Sequence, residues 1–424
     1  MSVLKKIVQS QLFKISSLNS ISIMLKIGTG LITSKLLAIY VGPSGMALVG
    51  NFRNFFSSLE GIATLGFQNG IVKYTAEIQD DKKRLAKFVT TVFISLTAVA
   101  FLLSGGLYFL SEFWNYKIFG SNYDYQFVFK ALALVLPWYV ISIVLISILN
   151  GLGNFKKVIW INSIGNIIGL LVSIVLIINF RSLGALLAIV VSPSLLFFIS
   201  FYFVHKEIKL FNSISIQDFD FVHLKNLSSY TLMALVSSVL GPLVLLSIRN
   251  NIIQTLGIDY AGYWETMTRI SSYYILFITT ILTVYFLPKL TVAKDVQETK
   301  SIFWSYYKGI LPVFVLGILL IYCTRFFIVK VLFTKEFLPV STLFFWQLIG
   351  DVFKVASLIL GFQFFAKKLT LVFISTELAS LIVFYFLSNY LIGQFGIQGV
   401  VMAQALDNFI YLLVLGVYFR KSLF

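Results

Sequence analysis

Charge is scarce in this chain: of 424 residues, only 12% are Asp, Glu, Lys or Arg. Soluble domains carry roughly 25%, and a water-soluble fold of this size could not cover its surface with so few. Cysteine is almost missing; Cys323 alone excludes an intramolecular disulfide. Histidine occurs twice, at His205 and His223. No metal-ligand cluster, Walker A string or nucleophile elbow is present. The chain is therefore not expected to be an enzyme, to hydrolyse ATP or to need a metal or organic cofactor. Period-two alternation is missing too. Apolar residues run in blocks of about twenty, which excludes an outer-membrane barrel.

What the chain has is apolar length. It is 58% hydrophobic and 17% aromatic, with a mean hydropathy of +0.92. A spanning helix needs about 20 mostly apolar residues, and twelve such blocks follow: 18–41, 46–75, 88–110, 127–150, 158–179, 182–204, 227–249, 260–287, 303–322, 340–365, 370–390 and 396–419. Residues 326–333 are too short to span and read as a connector or re-entrant piece. The basic N-terminus is followed by no cleavage signal, so the first block is expected to be a retained helix.

The net charge of +16 would suggest nucleic acid in a soluble protein. Here it is assigned to loops that set topology. Nineteen lysines and arginines fall in the termini and the loops on their side, against five in the opposite loops. Both termini are therefore expected in the cytoplasm.

The two halves resemble each other. Gly42 and Gly257 follow blocks one and seven, an offset of 215. Leu183-Gly184-Ala185 and Gln398-Gly399-Val400 open blocks six and twelve at the same offset. Six helices repeated once enter from the same side, which makes a parallel repeat about an axis along the membrane normal. The expected fold is an all-α polytopic membrane protein: twelve transmembrane helices in two six-helix lobes around a central cavity. The N-terminal lobe is read as 1–206, a cytoplasmic linker as 207–226 and the C-terminal lobe as 227–424. Since both lobes come from one chain, a monomer is expected. Pro137, Pro193, Pro242 and Pro312 lie inside apolar blocks, as hinges or packing kinks.

A charge at the bilayer centre costs roughly 2.5 kcal/mol or more, so intramembrane charges are the candidate functional residues. The cations are Lys26, Lys35, Arg53, Arg249, Arg269 and Lys354, and the acids are Glu60, Glu265, Asp351, Glu377 and Asp407. Four cations follow the repeat: Lys35 with Arg249 at an offset of 214, and Arg53 with Arg269 at 216. Two facing pairs suit an anionic ligand, and guanidinium favours bidentate contact with phosphate oxygens. Each also has a structural reading, as a snorkelling anchor or, for Arg269, as an i, i+4 partner of Glu265. Lys26 and Lys35, nine residues apart, point to opposite faces of an ideal helix. Gln347, Asp351 and Lys354 share a face. There Asp351 either neutralises Lys354 or exchanges it for a proton or sodium ion. Glu60, Glu377 and Asp407 are further ion-coupling candidates.

Several strings then resemble a known family. These are Leu25-Lys26-Ile27-Gly28-Thr29-Gly30, Ser34-Lys35-Leu36-Leu37-Ala38, Gly42-Pro43-Ser44-Gly45, Asn51-Phe52-Arg53 and Asn69-Gly70-Ile71-Val72-Lys73-Tyr74. The second half adds Arg249, Gly262-Tyr263-Trp264 and Trp346-Gln347-Leu348-Ile349-Gly350-Asp351-Val352-Phe353-Lys354. They are similar to the Wzx-type lipid-linked oligosaccharide flippases of the multidrug/oligosaccharidyl-lipid/polysaccharide exporter superfamily, above all the branch serving enterobacterial common antigen. The resemblance implies two six-helix lobes that open alternately to either side of the bacterial inner membrane. It implies an undecaprenyl-diphosphate-linked glycan as substrate, moved from the cytoplasmic to the periplasmic leaflet, with membrane lipids, polymerase and chain-length regulator proteins as partners. The family's charged positions fall on Lys26, Lys35, Arg53, Lys73, Arg249, Asp351 and Lys354; Arg269 lies outside the matched strings. The alternative is a drug or cation antiporter of the same superfamily, which would be expected to line its lumen with acids.

Overall fold

The computed structural model describes residues 11–208 and 219–423; half of the expected linker 207–226, residues 209–218, therefore lies outside the described residues. Among those described, ten helices are long and apolar enough to cross a bilayer. One of the ten, Phe155–Lys206, holds 52 residues, more than twice the span requirement, and breaks at Arg181 (φ 48°, ψ −121°) into two arms. A further helix, Gly42–Ala63, has 22 residues. It is less apolar because it carries Asn51, Arg53, Asn54 and Glu60. Twelve spans result: α1 Gln11–Tyr40, α2 Gly42–Ala63, α3 Lys82–Phe109, α4 Gln126–Gly151, α5 155–180, α6 182–206, α7 Val236–Thr255, α8 Ile258–Val292, α9 Leu311–Leu332, α10 Phe344–Ala366, α11 Thr370–Phe395 and α12 Ile397–Tyr418. No strand occurs among the described residues.

The repeat is legible in the backbone. Gly42 and Gly257, which open α2 and α8, both have positive φ (71° and 106°). Arg181 stands between α5 and α6 where Gly396 stands between α11 and α12, with φ of 48° and 58°. Gly153 and Lys368 match in the same way, at 74° and 55°. All three pairs are offset by 215. Positive φ crowds Cβ against the backbone and favours glycine. The chain therefore holds strain at Arg181 and Lys368, where the other repeat has glycine.

Three block readings need correction. Block 46–75 is not one helix: it stops at Ala63, and Gln68–Ile78 forms a separate helix. Leu65 and Gly66, at φ 49° and 65°, turn the chain between them. Residues 326–333 are not a re-entrant piece, because α9 runs from Leu311 to Leu332. The expected block 303–322 straddles a boundary there. An amphipathic helix, Val296–Gly309, capped by Asp295 accepting from Glu298 N at 2.7 Å, ends before α9 begins. Pro312 accordingly lies in the first turn of α9, where its missing N–H costs nothing, and does not kink it.

Pro242 and Pro288 have a visible effect. Each follows a π-helical turn, Val236–Leu240 and Leu282–Phe286 respectively. A proline ring clashes with the carbonyl four residues earlier, and widening the turn relieves the clash. The widened turn in α7 exposes Val239 O, which accepts from Ser58 Oγ of α2 at 3.1 Å.

The chain forms two compact units. Unit 1 holds Met1–Tyr40 and Asn51–Pro242; unit 2 holds Val41–Gly50 and Leu243–Phe424. This grouping differs from a cut at 206 and 227. The first nine residues of α2 pack in unit 2, where Met46 and Ala47 are fully buried. The π turn of α7 stays in unit 1 through its Ser58 contact.

Candidate functional site

Unit 2 buries a charged cluster. Arg249 on α7 is 1% exposed and Glu265 on α8 is 0% exposed. Arg249 Nη2 donates to Glu265 Oε2 at 2.7 Å, a charge-assisted bond. The Arg249 guanidinium also lies 5.2 Å from the Trp264 ring centre, a cation–π distance. Arg269, one helical turn after Glu265, places Nε 3.7 Å from its Oε1. One carboxylate thus serves both arginines. Gly50 makes room for them: a Cβ there would stand 2.5 Å from Glu265 Oε2 and 2.9 Å from Arg249 Cζ. The two cations of the C-terminal repeat are therefore interior groups held by an acid. Trp264, 0% exposed, is part of that packing and offers no face to a ligand.

A second polar group joins α8 to α10. Asp351 is fully buried. It accepts from Ser271 Oγ at 2.6 Å, from Tyr274 Oη and from Gln347 Nε2 at 3.1 Å. Glu265 and Arg269 lie one turn apart on α8, and Ser271 and Tyr274 follow on the same helix. On α12, Asp407 accepts from Ser380 Oγ of α11 at 3.0 Å. Lys354, one turn after Asp351, interacts electrostatically with Asp351, Glu377 and Asp407. Acids on three helices thus feel the charge of one ammonium group. Gly350 lets α12 approach: a Cβ there would meet Ala405 Cα at 2.9 Å, and Asn408 Nδ2 donates to Gly350 O at 3.1 Å.

Unit 1 carries the other cations. Lys26 is exposed, and Lys35 and Arg53 are half-buried. α1 runs unbroken from Gln11 to Tyr40, so Gly28 and Gly30 do not bend Lys26 and Lys35 onto one face. Glu60, also half-buried, accepts from Tyr139 Oη of α4 at 2.7 Å and from Gln68 Nε2 at 3.3 Å. It therefore clasps the break that follows α2.

The repeat-related cations are thus unequal. Position 265, where the second repeat has its acid, aligns with Gly50 in the first at an offset of 215. Lys35 and Arg53 keep more solvent access than Arg249 and Arg269. Sequence reasoning singled out Glu265 only as the helical neighbour of Arg269, and missed its bond to Arg249. It also missed Tyr139, Ser271, Tyr274 and Ser380, ordinary hydroxyl residues whose role depends on which acid the fold sets opposite them. Pro137, two residues before Tyr139, was the nearest sequence signal.

The comparisons with known proteins agree with this architecture. A family model described as "Polysaccharide biosynthesis protein" matches residues 36–342. Lipid III flippases of Escherichia coli (strain K12) and Shigella flexneri are each 30% identical over 410 residues, covering 94% of this chain and 96% of theirs. Both are named as transporters, not enzymes. An inward-facing multidrug resistance MATE family transporter of the MOP superfamily superposes with a TM-score of 0.75 at 16% identity, covering 98% of each chain. The lipid II flippase MurJ, in an inward closed conformation, superposes with a TM-score of 0.71 at 18% identity, covering 95% of this chain and 87% of its own. The fold is that of the MOP superfamily, and the chain, a multi-pass membrane protein, belongs to the polysaccharide biosynthesis protein family.

Proposed function

We propose that the protein flips an undecaprenyl-diphosphate-linked oligosaccharide from the cytoplasmic to the periplasmic leaflet by alternating access. The observation that carries this reading is the relation to the lipid III flippases over nearly the whole chain. The diphosphate brings negative charge into a low-dielectric region, and Lys35 and Arg53 of unit 1 offset that cost. They lie in spanning helices yet remain half-buried, so their heads meet a ligand better than those of Arg249 and Arg269. Lys26 and Lys354 are secondary contacts, and Arg249 with Arg269 set the charge and shape behind them. The polyprenyl tail stays in lipid. Both termini lie in the cytoplasm, as the loop charges require.

The coupling ion, a proton or sodium, is carried by Asp351, Glu377 and Asp407, with Glu60 as the unit 1 counterpart. Three acids against the single ammonium of Lys354 leave negative charge for a cation to balance. The test is a vesicle assay with a fluorescent undecaprenyl-diphosphate glycan, scored by protection from an external glycosidase under imposed pH or sodium gradients. Protein-dependent transfer that fails in Arg53→Ala supports the reading. No transfer of such a lipid, with binding of cationic drugs instead, overturns it in favour of the antiporter.

A further inference from the structure

The segment between α3 and α4 is built with more care than a connector needs. A short helix, Ser111–Phe119, ends at Gly120, whose φ is 80°. After a turn at 121–122 the chain passes Tyr123, Asp124 and Tyr125 and enters α4, with Tyr125 capping the helix at φ −120°, ψ 30°. Tyr123 and Tyr125 flank Asp124 in this stretch. Their rings lie parallel, 11° apart, with centres at 6.0 Å, and both are half-buried. Buried Asn115 fixes this arrangement with both ends of its amide. Its Nδ2 donates to Tyr123 O at 2.7 Å, and its Oδ1 accepts from Tyr125 N at 2.8 Å. Asp124 accepts from Gln126 N at 3.3 Å.

The frame leads back to the cation site. Tyr125 packs on Phe119 at 5.3 Å, and Phe119 stacks on Phe52 at 6.1 Å. Phe52 is the residue before Arg53. Asn51 Nδ2 also donates to Ile118 O at 3.1 Å, tying the same helix to α2. Aromatic residues that anchor a protein at the lipid interface need no fixed mutual angle. Tyr116 and Phe113, exposed on the same short helix, are residues of that kind. Two tyrosines held parallel by a buried amide instead form a preset apolar platform with hydroxyls at its rim. That matches the face of a pyranose ring, which is apolar in the middle and polar at the edge.

We propose that Tyr123 and Tyr125 form a saccharide subsite on the outer side of unit 1, where sugars distal to the diphosphate stack. The subsite rests on the flippase reading and on the loop orientation read from charge. Because two aromatic contacts separate the tyrosines from Phe52, the sugar joined to the phosphate does not reach them.

The test uses the full chain in vesicles and two synthetic probes: undecaprenyl diphosphate bearing one or three N-acetylglucosamine units. Tyr123→Leu with Tyr125→Leu keeps apolar bulk but removes the rings. It is expected to weaken binding and flipping of the three-sugar lipid about tenfold, that is about 1.4 kcal/mol, and to leave the one-sugar lipid within about twofold. Tyr123→Phe with Tyr125→Phe keeps the stack and is expected to retain most three-sugar activity, which separates stacking from folding. Equal loss with both lipids, or no loss with either, overturns the subsite while the flippase reading stands. Wild-type protein that moves neither lipid removes both.

Discussion

Replacing Arg249 by alanine tests whether the second repeat's arginines are built into the interior or offered to a ligand. Arg249 is 1% exposed and bonds Glu265, itself 0% exposed, at 2.7 Å. After the change, Glu265 keeps Arg269 at 3.7 Å but loses its shortest charge-assisted bond. Breaking a buried ion pair by removing one partner costs about 3–5 kcal/mol. For a chain of this length, that lowers Tm by roughly 3–6 °C. The assay is thermal unfolding of purified protein in detergent, followed by tryptophan fluorescence, with Trp264 against the guanidinium at 5.2 Å as a local reporter. The double variant Arg249→Met/Glu265→Gln should recover part of the loss, because no buried carboxylate remains uncompensated. It should not recover all of it, because Arg269 then lacks its acid. The reasoning is refuted if Arg249→Ala melts within about 1 °C of wild type, or if the double variant melts no higher than the worse single one.

Arg53→Ala should behave in the opposite way: normal expression and melting with transport abolished, and partial transport in Arg53→Lys, measured in the vesicle assay. Transport by Arg53→Ala at the wild-type rate would remove the cation role. Asp407→Asn should still flip substrate but respond less to an imposed pH or sodium gradient; an unchanged gradient response would exclude Asp407 from coupling. Arg181→Gly should raise stability by about 1–3 kcal/mol, the scale of a residue held at an unfavourable backbone conformation, with the shift read as an increase in Tm.

The sequence by itself determined the class, the number of spans and the internal repeat. These follow from local physics. A helix that crosses lipid must be apolar for about 20 residues, and every residue in it reports on the same solvent. The junction glycines were readable for a similar reason, since positive φ restricts residue choice wherever it occurs. The intramembrane charges were also legible as a set, because each is costly enough to need a partner or a cavity.

Only the tertiary structure decided how those charges divide. Arg249 and Arg269 look equivalent to Lys35 and Arg53 along the chain. The fold sets Glu265 against the first pair and leaves the second pair half-exposed. The breaks at Thr64–Phe67 and at Ile310 escaped a hydropathy reading because apolar residues continue across both, and hydropathy does not report backbone direction. Tyr139, Ser271 and Tyr274 became partners of Glu60 and Asp351 only through contacts spanning 77 to 80 positions. A hydroxyl carries no sign of its future partner in the sequence. Whether it meets an acid, a backbone carbonyl or lipid is fixed by which helix faces it once the spans pack.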